Sequence, residues 1–157
     1  MKIIDDFLSK EDFTTLYNTF LGPCFDWYYN PFVDYSNQIF DVFDLDNYHF
    51  VHNFSNDDFS LKSIVKKLNI KKLVRAKSNL STRTEKIIER KFHIDVPDVQ
   101  TGILYINTNN GWTEFEDGTK VESVANRLVT FDSNINHRGT TCTDSKVRVV
   151  LNLNFKL

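Results

Sequence analysis

The C-terminal half of the chain alternates between apolar and polar residues in short segments, and this pattern constrains the fold more than any other feature. Turn signals separate the segments, among them Asn109-Asn110-Gly111 and the Asp117-Gly118 pair typical of a tight hairpin. Many short strands at regular spacing indicate an antiparallel sandwich or barrel. We predict strands over 73–82, 87–95, 100–107, 112–116, 120–124, 127–132 and 146–156.

Two helices are predicted before these strands. The segment from Ser9 to Asp12 resembles a capping box with Asp in place of Glu. Apolar residues then recur at helical spacing up to Gly22-Pro23, which predicts a helix over 10–21. A second helix is predicted over 58–69. Because the helices come first and the strands second, the helices should pack on one sheet of a mainly β, α+β fold.

The composition excludes several classes of protein. The chain has 157 residues, 41% of them hydrophobic, and a net charge of -2, which fits one ordinary globular domain over residues 1–157. No apolar run approaches the roughly 20 residues that span a bilayer. The N-terminus lacks the basic-then-apolar pattern of a secretory signal. We therefore expect a cytoplasmic protein without a membrane partner, and the sequence indicates no particular oligomeric state.

Positive charge is concentrated in residues 61–91, which hold eleven bases against two acids. A basic strip can bind a polyanion, so nucleic acid is one candidate partner. The alternative is a helix face in contact with water, because an apolar stripe at helical spacing leaves three lysines on the other side. The stripe consists of Leu61, Ile64, Val65 and Leu68, and the lysines are Lys62, Lys66 and Lys67.

Three residues have the composition of a metal site. His93-Ile94-Asp95 is followed by His137, 42 residues after Asp95. Two imidazoles and one carboxylate, with open coordination positions left over, form the ligand set of non-haem Fe(II) oxygenases. A strand over 91–95 would direct the side chains of His93 and Asp95 to the same face. If His137 meets them in space, the three residues can bind a metal.

The last predicted strand has one fully apolar face and one face that begins with Arg148, eleven residues after His137. The same face continues with Val150, Asn152 and Asn154. Arg is suited to hold a carboxylate through two parallel hydrogen bonds, so this stripe is expected to line a pocket. The alternative is an exposed outer face, but the His/Asp/His set favours the pocket.

Together these residues resemble the 2-oxoglutarate- and Fe(II)-dependent dioxygenases of the prolyl-4-hydroxylase type, and are similar to short phage-encoded members of that group. The resemblance extends from about Arg75 to the C-terminus. The order and spacing of the matching pieces are more specific than any one of them. The pieces are 92–95, 104–107, 110–115, 127–131, 137–139 and Arg148.

The resemblance implies a double-stranded β-helix, which is a cupin-like jelly roll, with iron between its two sheets. His93, Asp95 and His137 would be the metal ligands and the catalytic centre. The implied cofactors are Fe(II), the cosubstrate 2-oxoglutarate and O₂. Arg148 would bind the distal carboxylate of 2-oxoglutarate. The implied reaction is the hydroxylation of a C–H bond, with release of succinate and CO₂.

Further cosubstrate contacts follow from the same resemblance. The Tyr105 hydroxyl occupies a position that often contacts the distal carboxylate, and Thr113 matches a residue that lines the cosubstrate site. Asn79, on the strand before His93, is a weaker candidate. The aromatic segment 26–54 and the loop 82–91 are the candidate substrate-facing walls. In that loop, Arg83, Arg90 and Lys91 could bind an acidic substrate.

The substrate stays open at the level of sequence. A protein or peptide side chain is the leading hypothesis, and a nucleobase is an alternative of the same chemical class that rests on the basic strip. A third hypothesis is a non-catalytic cupin-like protein that binds a metal or a small ligand, because a fold alone does not decide function. His49 and His52 lack a carboxylate or a second His at ligand spacing, and we interpret both as structural or surface residues.

Overall fold

Two antiparallel β-sheets form the frame of the structure, a computed structural model that describes residues 1–33, 46–55 and 58–157. The elements are β1 (Lys2–Ile4), α1 (Lys10–Phe20), β2 (Tyr28–Asn30), β3 (His49–Asn53), a 3-10 turn (Phe59–Leu61), α2 (Lys62–Lys67), β4 (Lys72–Thr82), β5 (Gln100–Tyr105), β6 (Trp112–Phe115), β7 (Lys120–Glu122), β8 (Leu128–Asp132), β9 (His137–Gly139) and β10 (Val147–Lys156). Seven strands form the large sheet in the order β1-β8-β5-β10-β4-β3-β2, and three form the small sheet in the order β7-β6-β9. This is the arrangement of a double-stranded β-helix, so the predicted α+β, mainly β jelly roll is confirmed.

Helix α1 begins where the sequence predicts it. The Ser9 hydroxyl accepts a hydrogen bond of 3.1 Å from the Asp12 amide and donates one of 2.8 Å to the Asp12 carboxylate. This closes the first turn of the helix. The helix buries Leu16 and Phe20 in an apolar cluster with residues of β4 and β10, which places it on the outer face of the large sheet.

Helix α2 packs on the same outer face and is shorter than predicted. Leu61 and Ile64 are buried in the same apolar cluster as Leu16 and Phe20 of α1, whereas the three lysines of α2 are exposed. The alternative of a helix face in contact with water is therefore the correct one for Lys62, Lys66 and Lys67. None of the helices in the described part of the chain has the length and apolar character needed to cross a membrane.

Strand β10 separates the two cores of the molecule. Val149, Leu151, Leu153 and Phe155 belong to the outer cluster under the helices, whereas Val150 belongs to a second cluster between the two sheets. The alternation predicted from the sequence is thus confirmed, because successive side chains of a strand point to opposite faces. The inner face of β10 carries Arg148 and Asn152, which line the space between the sheets.

The predicted strand over 87–95 is wrong. Only two isolated bridges form there, Glu89 with Thr140 and His93 with His137. The two bridges are four residues apart on the 87–95 segment but only three residues apart on the segment 137–140 that faces it. The first segment therefore contains one extra residue, which interrupts the pairing as in a β-bulge. The extra residue ends regular pairing but still leaves His93 opposite His137. His137 itself is the first residue of β9 rather than a residue after a strand.

Candidate active site

His93, Asp95 and His137 meet at one end of the space between the sheets. Each offers one ligand atom, and these atoms all lie within 4.8 Å of one another. The His93 Nε2 atom lies 3.8 Å from the Asp95 Oδ1 atom. The main chains of His93 and His137 exchange two hydrogen bonds of 3.0 Å. The backbone therefore holds the two imidazoles together without a contribution from any ligand.

Hydrogen bonds fix which nitrogen of each imidazole is free. The His93 Nδ1 atom lies 3.1 Å from the Lys91 carbonyl oxygen, and the His137 Nδ1 atom lies 3.2 Å from the Ile135 carbonyl oxygen. A carbonyl oxygen only accepts, so each Nδ1 carries the proton and each Nε2 keeps its lone pair for a metal. Burial lowers the pKa of His137, against the opposing charge of Asp95, and so favours the neutral form that binds metals.

Asp95 supplies the third ligand group. Its side chain is 7% exposed, and its Oδ2 atom is buried without a hydrogen-bond partner in the described part of the chain. Its Oδ1 atom lies 3.6 Å from the Arg75 Nη1 atom. A buried carboxylate oxygen without a partner costs free energy that a bound cation would offset. Two free Nε2 atoms and one unpaired carboxylate oxygen fit a divalent metal ion.

Arg148 lies deeper in the same pocket, where it is 5% exposed. Its Nε donates a hydrogen bond of 2.9 Å to the Ser123 hydroxyl, and its Nη2 donates one of 3.3 Å to the Thr113 hydroxyl. Burial lowers the pKa of Arg148. No carboxylate of the described residues forms an ion pair with it. Since a buried guanidinium needs a counter-charge, the position favours an anionic ligand.

Glycine at position 111 makes room for this guanidinium. A Cβ atom there would lie 2.7 Å from the Arg148 Cδ atom and 2.6 Å from the Thr141 carbonyl oxygen. Any larger residue would displace the arginine or the loop behind it. Gly111 lies in the piece 110–115 that carries the family resemblance, and the structure gives this glycine a steric role.

The other predicted cosubstrate residues divide into two groups. Thr113 and Asn79 line the pocket, whereas Tyr105 is fully buried behind Thr113. The Tyr105 hydroxyl donates a hydrogen bond of 2.8 Å to the Thr113 hydroxyl. Burial raises the pKa of Tyr105, so this phenol stays protonated and donates. Because the Thr113 oxygen accepts from both Tyr105 and Arg148, its own proton is left to donate into the pocket.

Sequence reasoning missed a basic wall on β4, the strand that pairs with the strand of Arg148. Lys77 lines the pocket, and Arg75 lies on the same strand two residues earlier. Burial, reinforced by the charge of Arg75 and opposed by that of Asp95, lowers the pKa of Lys77 to about 8. The alternation within 73–82 could have revealed this wall, because Arg75, Lys77 and Asn79 share one face of a strand.

His49 also lines the pocket, although the sequence analysis interpreted it as structural or surface. It is 6% exposed, and its Nε2 atom has no hydrogen-bond partner among the described residues. Burial, reinforced by the charges of Lys77 and Arg90, lowers the pKa of His49 to about 4. His49 is therefore neutral near pH 7. It is not part of the metal-ligand group.

The predicted substrate-facing walls are present only in part. Val33 and His49 of the 26–54 segment line the pocket, and residues 34–45 lie outside the described residues. From the 82–91 loop, Arg90 lines the pocket and donates a hydrogen bond of 2.7 Å to the Asp46 carbonyl oxygen. The residues Arg83 and Lys91 are exposed and do not line the pocket.

No protein-family model and no curated protein matches the sequence. Solved structures do match. A Trichoplax adhaerens prolyl hydroxylase in complex with a hypoxia inducible factor oxygen degradation domain peptide fragment has a TM-score of 0.63 at 14% identity, covering 99% of this chain and 83% of that chain. A Pseudomonas putida prolyl-4-hydroxylase has a TM-score of 0.62 at 14% identity, with 99% and 91% covered. A Burkholderia pseudomallei oxidoreductase of the 2OG-Fe(II) oxygenase family has a TM-score of 0.51 at 9% identity, with 70% and 67% covered. At these identities the likeness shows that the fold is shared.

Proposed function

We propose that this chain, as one domain over residues 1–157, is a 2-oxoglutarate- and Fe(II)-dependent dioxygenase that hydroxylates a C–H bond. The observation that carries the proposal is the pairing of two groups in one pocket. One is the His93/Asp95/His137 group with its unpaired ligand atoms, and the other is the buried guanidinium of Arg148. A metal alone would explain the first group, but an anionic cosubstrate is needed to explain the second.

Each residue has a defined task in this proposal. The Nε2 atoms of His93 and His137 and the carboxylate of Asp95 would hold Fe(II) on one face and leave other positions open. When bound, iron and 2-oxoglutarate activate O₂, and the cosubstrate is oxidised to succinate and CO₂ as one oxygen atom enters the substrate C–H bond. The protein positions the reactants and excludes water from them.

The deep end of the pocket would hold the distal carboxylate of 2-oxoglutarate. Arg148 supplies charge-assisted hydrogen bonds there, and the Thr113 hydroxyl supplies a further donor. Ser123 and Tyr105 would not contact the ligand themselves, because each is hydrogen-bonded to a residue that does. Ser123 accepts from the Arg148 Nε atom, and Tyr105 donates to the Thr113 oxygen, so both fix the direction of the groups that bind the carboxylate.

The substrate that we propose is a side chain of a protein or peptide. Support comes from the Trichoplax adhaerens prolyl hydroxylase of the same fold, whose structure contains a peptide. The nucleobase alternative has weaker support because the basic strip is divided. The lysines of α2 lie with the helices on the outer face of the large sheet, whereas Lys77 faces the pocket on the inner face.

The test is anaerobic addition of Fe(II) and then 2-oxoglutarate, with measurement of the weak visible charge-transfer band of the chelate. We expect a band in the wild type and none in His93→Ala. His52→Ala is the matched control, because the His52 Nδ1 atom is bound to the Asp26 carbonyl oxygen outside the site. Absence of the band in the wild type, or its persistence in His93→Ala, would contradict the proposal and favour a non-catalytic cupin-like protein.

A further inference from the structure

The pocket contains a second cationic position besides Arg148. Lys77 on β4 is paired in register with Asn152, whereas Arg148 is paired with Ser81. Four residues of β4 therefore separate the two backbone positions, which corresponds to about 13 Å along the strand. The two side chains leave the sheet at different points, so Lys77 and Arg148 can serve two separate anionic groups.

Lys77 forms no salt bridge with the residues that the structure describes, although the charge of Asp95 acts on it. The neighbouring carboxylate, Asp95, forms its ion pair with Arg75 at 3.6 Å and is also the predicted metal ligand. No carboxylate oxygen of the described chain lies within 4 Å of the Lys77 ammonium group. Burying an ammonium group without a partner is unfavourable. Lys77 is thus poised for an anion supplied from outside.

Two further polar atoms of the same pocket are unpaired. The Nε2 atom of His49 and the Oδ1 atom of Asn152 are both buried without hydrogen-bond partners in the described part of the chain, and Asn152 is the register partner of Lys77. The charge of Lys77 also acts on His49. A neutral imidazole can donate from Nε2 to an oxyanion, and the Asn152 oxygen can accept from an N–H or O–H group. One cationic side chain and two unsatisfied polar atoms in one pocket indicate a ligand site.

We infer that the oxidised substrate carries an oxyanion, either a carboxylate or a phosphate, that binds Lys77 and the His49 Nε2–H group beside the metal site. This inference rests on the proposed function, because it assigns the 2-oxoglutarate carboxylate to Arg148. It specifies the substrate class as an acidic one. The anion would fix which C–H bond of the substrate faces the metal.

The test compares Lys77→Met with the matched control Lys72→Met, which makes the same change at the exposed end of the same strand. Binding of inorganic phosphate, glutamate and the neutral diamide glutaramide is measured by calorimetry, first to the chain alone and then to the anaerobic Fe(II)·2-oxoglutarate complex. The charge-transfer band of that complex gives the 2-oxoglutarate affinity. Lys77→Arg keeps the charge and serves as a second variant if the methionine variant does not fold.

We expect saturable binding of phosphate or glutamate, and none of glutaramide, which carries no carboxylate. Lys77→Met should weaken anion binding about tenfold or more, which is the effect of losing one charge-assisted hydrogen bond. Lys72→Met should bind like the wild type, and Lys77→Arg should retain binding. Binding of glutamate alone would identify a carboxylate substrate, and binding of phosphate alone a phosphorylated one.

Three results would overturn the inference. Anion binding that is equal in the wild type and Lys77→Met, or glutaramide binding as tight as that of glutamate, would show that no charge is recognised there. A tenfold loss of 2-oxoglutarate affinity in Lys77→Met would assign Lys77 to the cosubstrate. If the wild type shows no charge-transfer band, the proposed function fails, and calorimetry with the chain alone still decides whether Lys77 binds anions.

Discussion

Arg148→Met separates a ligand-binding role from a structural role of the buried arginine. Arg148 is 5% exposed, and its guanidinium donates hydrogen bonds to two hydroxyl groups, those of Ser123 and Thr113. Truncating one partner of a buried, hydrogen-bonded charge pair costs about 2–5 kcal/mol. At 1.4 kcal/mol per tenfold change, the affinity for 2-oxoglutarate should therefore fall roughly 30-fold to 4000-fold.

In the absence of 2-oxoglutarate, the Arg148→Met substitution should not destabilise the protein. Methionine fills a similar length and removes a buried charge that has no acidic partner in the described chain, so the free energy of unfolding should not decrease. With 2-oxoglutarate at about 100 times its Kd, the wild type gains about 2.7 kcal/mol of stability. The variant should gain less than about 1 kcal/mol at the same concentration, because its Kd is higher.

The assay is urea unfolding under nitrogen with Fe(II), with and without 2-oxoglutarate. Arg127→Met is the control, since Arg127 pairs with exposed Asp5 and does not line the pocket. Its stabilisation by 2-oxoglutarate should equal that of the wild type. Full stabilisation of Arg148→Met by 2-oxoglutarate would refute the assignment of Arg148. A loss of more than about 2 kcal/mol in the ligand-free variant would show that the arginine is structural.

Three further predictions concern the walls of the pocket. Because the pKa of His49 is lowered to about 4 in the folded chain, stability should be full above its unfolded pKa of 6.5 and fall as the pH decreases towards 4. The urea midpoint should decrease less between pH 7 and pH 4.5 in His49→Gln than in the wild type, and an equal decrease in both proteins would contradict this prediction. Lys77→Met should raise the stability of the ligand-free chain by on the order of 1–3 kcal/mol near pH 7, since burial disfavours the charged amine; a decrease in the urea midpoint would refute this. Gly111→Ala should weaken 2-oxoglutarate binding at least about tenfold, because its Cβ displaces Arg148; an unchanged charge-transfer titration would show that the loop adapts.

The strands were predictable to within a few residues where alternation is regular. The predictions over 73–82 and 146–156 correspond to β4 and β10, each of which has one face on the helix side and one in the pocket. The short edge strands β1 and β2 were not predicted. Three residues are too few to show a periodicity, and the pairing of such a strand depends on a neighbour that is remote in sequence.

The His93/Asp95/His137 group was predictable because its residue types match a known ligand set, whereas the inward position of Lys77 was not. Lys77 and Arg75 lie in a sequence with eleven bases in 31 residues, where most lysines are expected to face water. Alternation places Arg75, Lys77 and Asn79 on one face of the strand. Which face turns inward depends on the pairing of β4 with β3 and β10, and that pairing joins segments far apart in the chain.

The meeting of His93 with His137 depends on an irregularity that alternation alone does not predict. Arg90 pairs with Gly139, so a regular antiparallel ladder would place Phe92, not His93, opposite His137. The extra residue between the two pairs shifts the register by one, and His93 then exchanges both hydrogen bonds with His137. Phe92 and Ile94 are left 39% and 42% exposed, while the Asp95 side chain is buried beside His93. The 87–95 segment is therefore not a regular strand, yet His93 and Asp95 lie side by side as predicted. Two residues in an extended segment share a face whether or not the segment belongs to a sheet, but only the shifted register brings that face to the second histidine.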